Sequence, residues 1–508
     1  MAGAGGCSGA AGVRLRRGLR RGGRGGSCAV GGTGTALGSI AAMPDLSLEH
    51  TSIPGLLVLR LQVHGDARGW FKENWQRAKM TALGLPDFEP VQHSVAYNEE
   101  RGVTRGIHAE PWDKLVSIAR GRAFGAWVDL REGPTFGAVH TEVLDEATAV
   151  FVPRGVGNSY QTLEPDTVYS YLVNAHWSAD ASYTHLNLAD PQAAVPWPIP
   201  LEEAVVSDKD RAQPMLADLT PVTGPPTVVL GGGGQLGRAL QRRFPAARVL
   251  TRDDLDLADA AAVAAYDFGR GATVLNAAAF TAVDDAETTG RAQAWATNAT
   301  GVAALARAAV EQRLTVVHYS TDYVYDGTRG SGEDGAWRED DPLAPLGVYG
   351  QSKAAGDVAL SVLPRHYLLR TSWVVGEGGN FVRTMQRLAR QGVSPSVVAD
   401  QVGRLTFTDT LAEATAHLLA GGAAYGTYHV TNGGRPGSWA EVARAVFAHE
   451  GRDPGEVSET TTEAYAESAG RPTAPRPRHS VLDLGRIREA GFVPRDQWEA
   501  LEDYLTTG

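Results

Sequence analysis

The stretch "TVVLGGGGQLGRALQRRF" (227–244) decides the fold of the larger part of this chain. A short β-branched run leads into four glycines, and an amphipathic run leaves them. Gly232, Gly234 and Gly237 satisfy the G-x-G-x-x-G spacing, with a strand before it and a helix after it. Glycines allow the tight turn and a close backbone approach to a pyrophosphate, which then rests on the helix N-terminus. Short apolar strands follow in "ARVLTRDDLDL", "GATVLNAAAF", "RLTVVHYSTDYVYDG" and "RHYLLRTSWVVG", with helical stretches between most of them. This alternation predicts an α/β Rossmann-type domain with a doubly wound parallel sheet over 227–508, its last ~110 residues forming a small substrate lobe. About twenty residues past the glycines, "LTRDDLDLAD" (250–259) holds both acids and an arginine. An acid there suits ribose hydroxyls and an arginine suits a 2′-phosphate, so NADPH is expected while NADH fits the same stretch.

"VYGQSKAAGD" (348–357) follows the proline-broken "DDPLAPLG". Tyr349 and Lys353 stand one helical turn apart and share a face. A lysine ammonium near a phenol favours the phenolate, which makes a tyrosine useful as acid or base near neutral pH. Just upstream, "HYSTDYVYDG" (318–327) ends a strand, and strand C-termini line the ligand crevice of such sheets. Thr321, Tyr349 and Lys353 beside a nicotinamide form a ketone-reduction site, with Tyr349 giving the proton.

These stretches, with "VLNAAAFTAVDDAE", "LRTSWVVGEGGNFV", "ADQVGRLTFTDTLA" and "GRPTAPRPRHSVLDL", resemble dTDP-4-dehydrorhamnose reductase, of the extended short-chain dehydrogenase class. The resemblance runs through 228–505. It implies cofactor contacts at Gly234, Gln235, Leu236, Gly237, Asp256, Leu257, Ala278, Ala279, Thr281, Tyr349 and Lys353, and substrate contacts at Val283, Asp322 and Trp373. "GRLTFTD" lacks the proline the family usually places before its threonine. No metal is expected.

Upstream, residues 45–200 read as short β segments at regular spacing, among them "GLLVLRLQVH", "KLVSIARG", "AFGAWVDLR", "AVFVPRG" and "TVYSYLVNAHW". That pattern predicts an antiparallel sandwich or barrel over 44–206. The polar, Pro-containing 207–226 reads as a linker. "GVTRGIHAEPWDKLVSIARG" gathers Arg105, His108 and Lys114, and a buried histidine among cations would act as a neutral base. With "GDARGWFKE", "WVDLREGPTFG", "FVPRGVGNSYQTL" and "ADPQAAVPWP", this half resembles dTDP-4-dehydrorhamnose 3,5-epimerase, a cupin-like jelly roll. The resemblance implies His108 as base, Asp190 as its orienting partner and Tyr171 as the acid on the other face. It also implies Lys114 at the enolate oxygen, Arg68 and Arg105 on the substrate diphosphate, and a homodimer through the jelly-roll domain. Asn158 in "GNSY" stands where the family usually has a histidine, and "QHSVAYN" (92–98) also departs from its pattern, so pocket hydrogen bonding must differ.

The two resemblances together imply a bifunctional enzyme of dTDP-L-rhamnose biosynthesis. It would epimerise dTDP-4-dehydro-6-deoxy-glucose at C3 and C5, then reduce the 4-ketone with NAD(P)H. Two other readings fit the same residues. One is a reductase whose epimerase half is degenerate, or inverts one carbon of a related nucleotide sugar. The other is a non-catalytic regulatory protein that binds NADP and a nucleotide sugar.

The composition is that of a globular protein: 508 residues, 43% hydrophobic, 21% charged, net charge −11. An acidic chain argues against nucleic acid as a partner. Six arginines and both cysteines, Cys7 and Cys28, fall in a Gly/Ala/Arg-rich leader, 1–43. The leader reads as disordered, or as lying upstream of a start at Met43. It is too polar for a membrane span, so no membrane partner is expected. The cysteine-free remainder fits a reducing cytoplasm.

Overall fold

The computed structural model describes residues 46–507 except 179, 180, 182, 422 and 471; the leader lies outside them. By contacts the chain divides into two units, one ending at Leu219 and one beginning at Thr220, with Leu130–Phe136 grouped with the second.

The first unit is a jelly roll of two antiparallel sheets. One runs in the order Ser47–His50, Leu57–Arg60, Thr148–Val152, Lys114–Arg120, Thr167–Val173, Gln92–Asn98. The other runs Thr184–His185, Val103–Ala109, Val156–Thr162, Ala123–Asp129, Val139–Leu144. Side chains alternate along each strand, so each sheet sends one set inward. Val58, Val116, Ile118 and Val150 of the first sheet meet Trp127, Leu144, Val156 and Tyr160 of the second in one core. The outer face of the first sheet is covered as well. There Leu57, Leu59, Leu115 and Phe151 pack on Met80, Leu85 and Phe88, at and beyond the helix Arg77–Ala82.

Residues 207–218, expected in the linker, fold with this unit. Ser207 caps the one-turn helix Asp208–Arg211 by accepting from the Asp210 N–H, and Asp210 and Leu216 are buried.

The second unit carries six parallel strands in the order Arg248–Leu250, Thr227–Leu230, Thr273–Asn276, Thr315–Thr321, His366–Thr371, Gly426–His429. The strands are apolar on both faces because helices cover both. Val228, Leu230, Val274 and Val316 pack on Val263, Val302 and Leu305. Val229, Leu275, Val317 and Leu369 face the other way, onto Leu240, Leu411 and Leu418. A separate apolar cluster, with Val382, Met385, Val446, Phe447 and Leu501, builds the smaller lobe around the helices Phe381–Arg390, Trp439–His449 and Gln497–Thr507. Among the described residues no helix is long and apolar enough to cross a membrane.

Candidate active sites

In the first unit, strand register builds a row across the second sheet. His185, His108, Asn158, Trp127 and His140 are successive cross-strand partners, so their side chains share one face. His108 Nε2 lies 2.9 Å from Asp210 Oδ1, and the Asp210 side chain is 9% exposed. The His185 ring meets His108 edge to face, centroids 4.8 Å apart. Burial holds the His185 imidazole below its ordinary range, and a charge on His108 would lower it further.

Lys114, 7% exposed at its side chain, is paired with Glu110, and its ammonium stands 4.7 Å from the centre of the Tyr171 ring. Trp112 Nε1 donates to the same Glu110 Oε2 at 3.0 Å, which fixes the carboxylate. Asn158 Oδ1 accepts from Trp127 Nε1 at 2.9 Å and from the Tyr169 hydroxyl at 3.1 Å. The amide orientation is thereby set, and its NH2 is the end left for other partners.

Asp190 requires a correction: it is not the partner of His108. Its Oδ1 accepts from the N–H groups of Gln192 and Ala193, and its Oδ2 from that of Leu216. Asp190 ties loop backbone together, and Asp210 takes the expected place beside the imidazole. His108 is thus set against a carboxylate rather than among cations. Arg105 is exposed, its Nε donating to Asn98 Oδ1 at 3.2 Å. Arg68 lies in the turn of the hairpin Val63–Asp66/Gly69–Lys72, its side chain 90% exposed and paired with Asp66. The structure therefore gathers His108, Lys114 and Tyr171 with three residues not singled out in the sequence: Asp210, Glu110 and His185.

In the second unit the glycine loop closes tightly. Gly231 has φ +76°, and a Cβ there would lie 2.7 Å from the Ala278 nitrogen. A Cβ on Gly237 would lie 2.2 Å from the Gly231 carbonyl, so only glycine lets the helix Gln235–Arg243 sit this close to the loop. Gly234 is the N-cap and offers no side chain, which leaves the first N–H groups of the helix for an anion. A cleft of about 410 Å³ opens there, bordered by Gly234, Arg252, Asp256, Leu257, Ala278 and Ala279. Gly232 is taken up by packing, since a Cβ there would meet Val249. Thr281 is exposed and is not part of that border.

The helix Val348–Ser361 carries Tyr349 and Lys353 inward. It can lie close because a Cβ on Gly350 would meet the Tyr323 carbonyl, and one on Gly356 the Asn298 carbonyl. Burial pushes the pKa of the Tyr349 phenol well up, with Thr321 opposing, so it stays protonated. Lys353 Nζ donates to the Tyr319 carbonyl at 2.7 Å and stands 3.2 Å from His318 Nε2. Burial brings Lys353 down to about 8, with the Asp357 carboxylate opposing. Asp322 accepts from the Thr321 hydroxyl at 3.1 Å and is pushed up to about 6 by burial. Trp373 adopts φ +44°, a backbone region uncommon outside glycine, and stacks on Trp439 with centroids 3.8 Å apart. Val283 opens the short helix Val283–Ala286, whose Asp284 holds Arg476 at 2.7 Å.

Residues 226–507 match the family model described as RmlD substrate binding domain. The chain belongs to the RmlD family. Residues 50–218 match the model of dTDP-4-dehydrorhamnose 3,5-epimerase. The RmlD half is 42% identical over 294 residues to a dTDP-4-dehydrorhamnose reductase of Streptomyces griseus, covering 56% of this chain and 93% of that protein. The epimerase half is 47% identical over 181 residues to an RmlC homolog of Streptococcus pyogenes, covering 34% of this chain and 91% of that protein. The solved dTDP-4-dehydrorhamnose reductase of Bacillus anthracis, in complex with NADP, is 30% identical, with a TM-score of 0.50 over 56% of this chain and 99% of that one. An epimerase domain and an RmlD reductase domain of dTDP-rhamnose biosynthesis thus stand in one polypeptide.

Proposed function

We propose that the chain runs two consecutive steps on one 4-keto sugar: 3,5-epimerisation of dTDP-4-dehydro-6-deoxy-glucose, then NADPH-dependent reduction to dTDP-L-rhamnose. What supports this most is that one chain holds both a His–Asp pair with a buried lysine and a Thr–Tyr–Lys group in a dinucleotide fold.

In the epimerase domain His108 takes the proton beside the ketone, and Asp210 orients the imidazole and stabilises the imidazolium that forms. Lys114 faces the developing enolate oxygen, and Tyr171 returns a proton on the other face. In the reductase domain the glycine loop and helix N-terminus fit a pyrophosphate, because they lack the side chains that would fill the space. Gly234, Gln235, Leu236 and Gly237, with Asp256, Leu257, Ala278 and Ala279, would hold the dinucleotide, and Arg252 favours a 2′-phosphate. Bound NADPH supplies the hydride. Thr321 orients the ketone, Tyr349 delivers the proton to its oxygen, and Val283, Asp322 and Trp373 border the sugar.

The proposal includes a homodimer through the jelly roll. Trp70 (45%), Phe71 (65%), Val95 (59%) and Tyr97 (57%) are exposed on the hairpin and on the edge strand Gln92–Asn98, apolar surface that a second copy would cover. We place the enzyme in the cytoplasm, where nucleotide sugars and reduced nicotinamide are both supplied.

The test is incubation with the keto-sugar in deuterated water, with and without NADPH, followed by NMR and absorbance at 340 nm. Deuterium is expected at C3 and C5 without NADPH, and NADPH loss when it is added. A chain that binds both ligands, exchanges nothing and oxidises nothing is a sensor, and the proposal fails.

A further inference from the structure

The reductase domain buries a histidine that neither step uses. His318 lies three residues before Thr321 on the strand Thr315–Thr321 and is 1% exposed. Its Nδ1 is 2.9 Å from Nδ2 of Asn276, its register partner on the neighbouring strand. The other end of that amide fixes its orientation, because Asn276 Oδ1 accepts from the Ala278 N–H at 3.3 Å. The group facing Nδ1 is therefore an NH2, which only donates. A neutral imidazole that accepts at Nδ1 carries its proton on Nε2. A doubly protonated ring would set N–H against NH2, and burial with Lys353 nearby holds His318 far below the ordinary imidazole range.

That Nε2–H faces Lys353 Nζ at 3.2 Å, while Nζ also lies 2.7 Å from the Tyr319 carbonyl. An ammonium has three protons and no lone pair, so it would oppose the imidazole N–H. An amine fits: it accepts from His318 and donates to Tyr319. The other charged or titratable groups around Lys353 are few. Asp357, one turn along the same helix, is bonded to Arg370 Nε at 3.0 Å; Tyr349 lies one turn back; Asp322 follows the strand end.

We propose that His318 is a positioning residue that lets Lys353 rest as an uncharged amine in mildly alkaline solution until the dinucleotide binds, so that cofactor binding there takes up one proton at Nζ. This rests on reading this half as an NADPH-dependent reductase. The proton comes from solvent and stays on Nζ. Ribose oxygens and the diphosphate charge favour the ammonium, which then faces acceptors in place of an N–H. The charge so placed one turn from Tyr349 eases proton release from its phenol.

The experiment is a fluorescence titration of the full chain with NADPH alone, from pH 7.5 to 9.5 at fixed ionic strength. The 2′-phosphate is ionised throughout, its pKa being ~6. The expected Kd is level at the low end and then rises about tenfold per pH unit. In His318→Gln the amide oxygen offers the ammonium an acceptor, and the break moves up by at least about one pH unit. A level wild-type profile, or the same break in H318Q, overturns the proposal. Should H318Q fail to fold, calorimetry of wild type at pH 8.5 in buffers of different ionisation heat decides. Proton uptake near one per NADPH supports the proposal, and zero uptake overturns it. Failure of NADPH to bind even at pH 7.5 overturns the reductase reading and this inference with it. Binding without a pH break overturns this inference alone.

Discussion

His108 and Asp210 meet across 102 residues of chain, Nε2 to Oδ1 at 2.9 Å. One comes from a central strand, the other from a single helical turn in a stretch that reads as linker. An imidazole that accepts a proton needs its other face held and its cation stabilised, and a carboxylate that is 9% exposed is placed to do both.

The first prediction separates the two aspartates. Asp210→Asn is expected to lower deuterium exchange at C3 and C5 by about 10²–10⁴-fold, with reduction of the epimerised sugar unchanged. Asp190→Ala removes the acceptor of three backbone N–H groups and is expected to cost about 1–3 kcal/mol of stability for each donor left unpaired. Thermal unfolding and exchange rates, measured on both variants, check the pair. Exchange surviving in D210N at the wild-type rate refutes the role given to Asp210.

Tyr349→Phe keeps the ring and removes the proton. NADPH oxidation is expected to fall by at least about 10³-fold while NADPH affinity and solvent exchange at C3 and C5 persist. The two halves then read out independently on one sample, by absorbance and by NMR.

Acid should weaken the reductase domain through His429. This imidazole is fully buried, its Nε2 2.8 Å from the Tyr325 hydroxyl, and burial with Arg370 nearby brings its pKa down to about 3. The unfolded chain takes up that proton near 6.5, the folded chain only near 3. The stabilisation is therefore whole above pH 6.5 and is lost as pH falls from 6.5 towards 3, at about 1.4 kcal/mol per pH unit. Between pH 6.5 and 5 that is about 2 kcal/mol, and His429→Gln should flatten the fall of Tm over that interval.

Much of this was legible in the sequence because the reductase half states its fold locally. Strand, glycine loop and helix follow one another within 227–244, and Tyr349 and Lys353 share a face by helical spacing alone. The jelly roll is less open. "GNSYQT" is polar, yet it forms a central strand, because Gln161 is satisfied by Thr104 and by Ile199 backbone, and Asn158 by Trp127 and Tyr169. Those partners exist only after folding. Asp210 was hidden for the same reason: nothing local distinguishes a buried carboxylate from a solvated one in "SDKDR". Glu110 was within reach, since it stands two residues past His108 on an extended run and four before Lys114. His318 looked like one more residue of an apolar strand.

Arg252 is placed to read the cofactor's 2′-phosphate, and its replacement tests that reading. It borders the cleft at the end of the strand Arg248–Leu250, next to Asp253 and with Asp256 on the same border. The acids suit ribose hydroxyls but repel a 2′-phosphate, and a guanidinium pairing with that phosphate bidentately would reverse the balance. Arg252→Ala should therefore weaken NADPH about tenfold or more, a loss of ~1.5 kcal/mol or above, typical of hydrogen bonds to a charged group. It should leave NADH affinity within about twofold. The ratio of the two Kd values, taken at pH 7.5 on wild type and variant, is the measurement. A variant that loses NADH and NADPH equally would show Arg252 holding the loop rather than reading the phosphate.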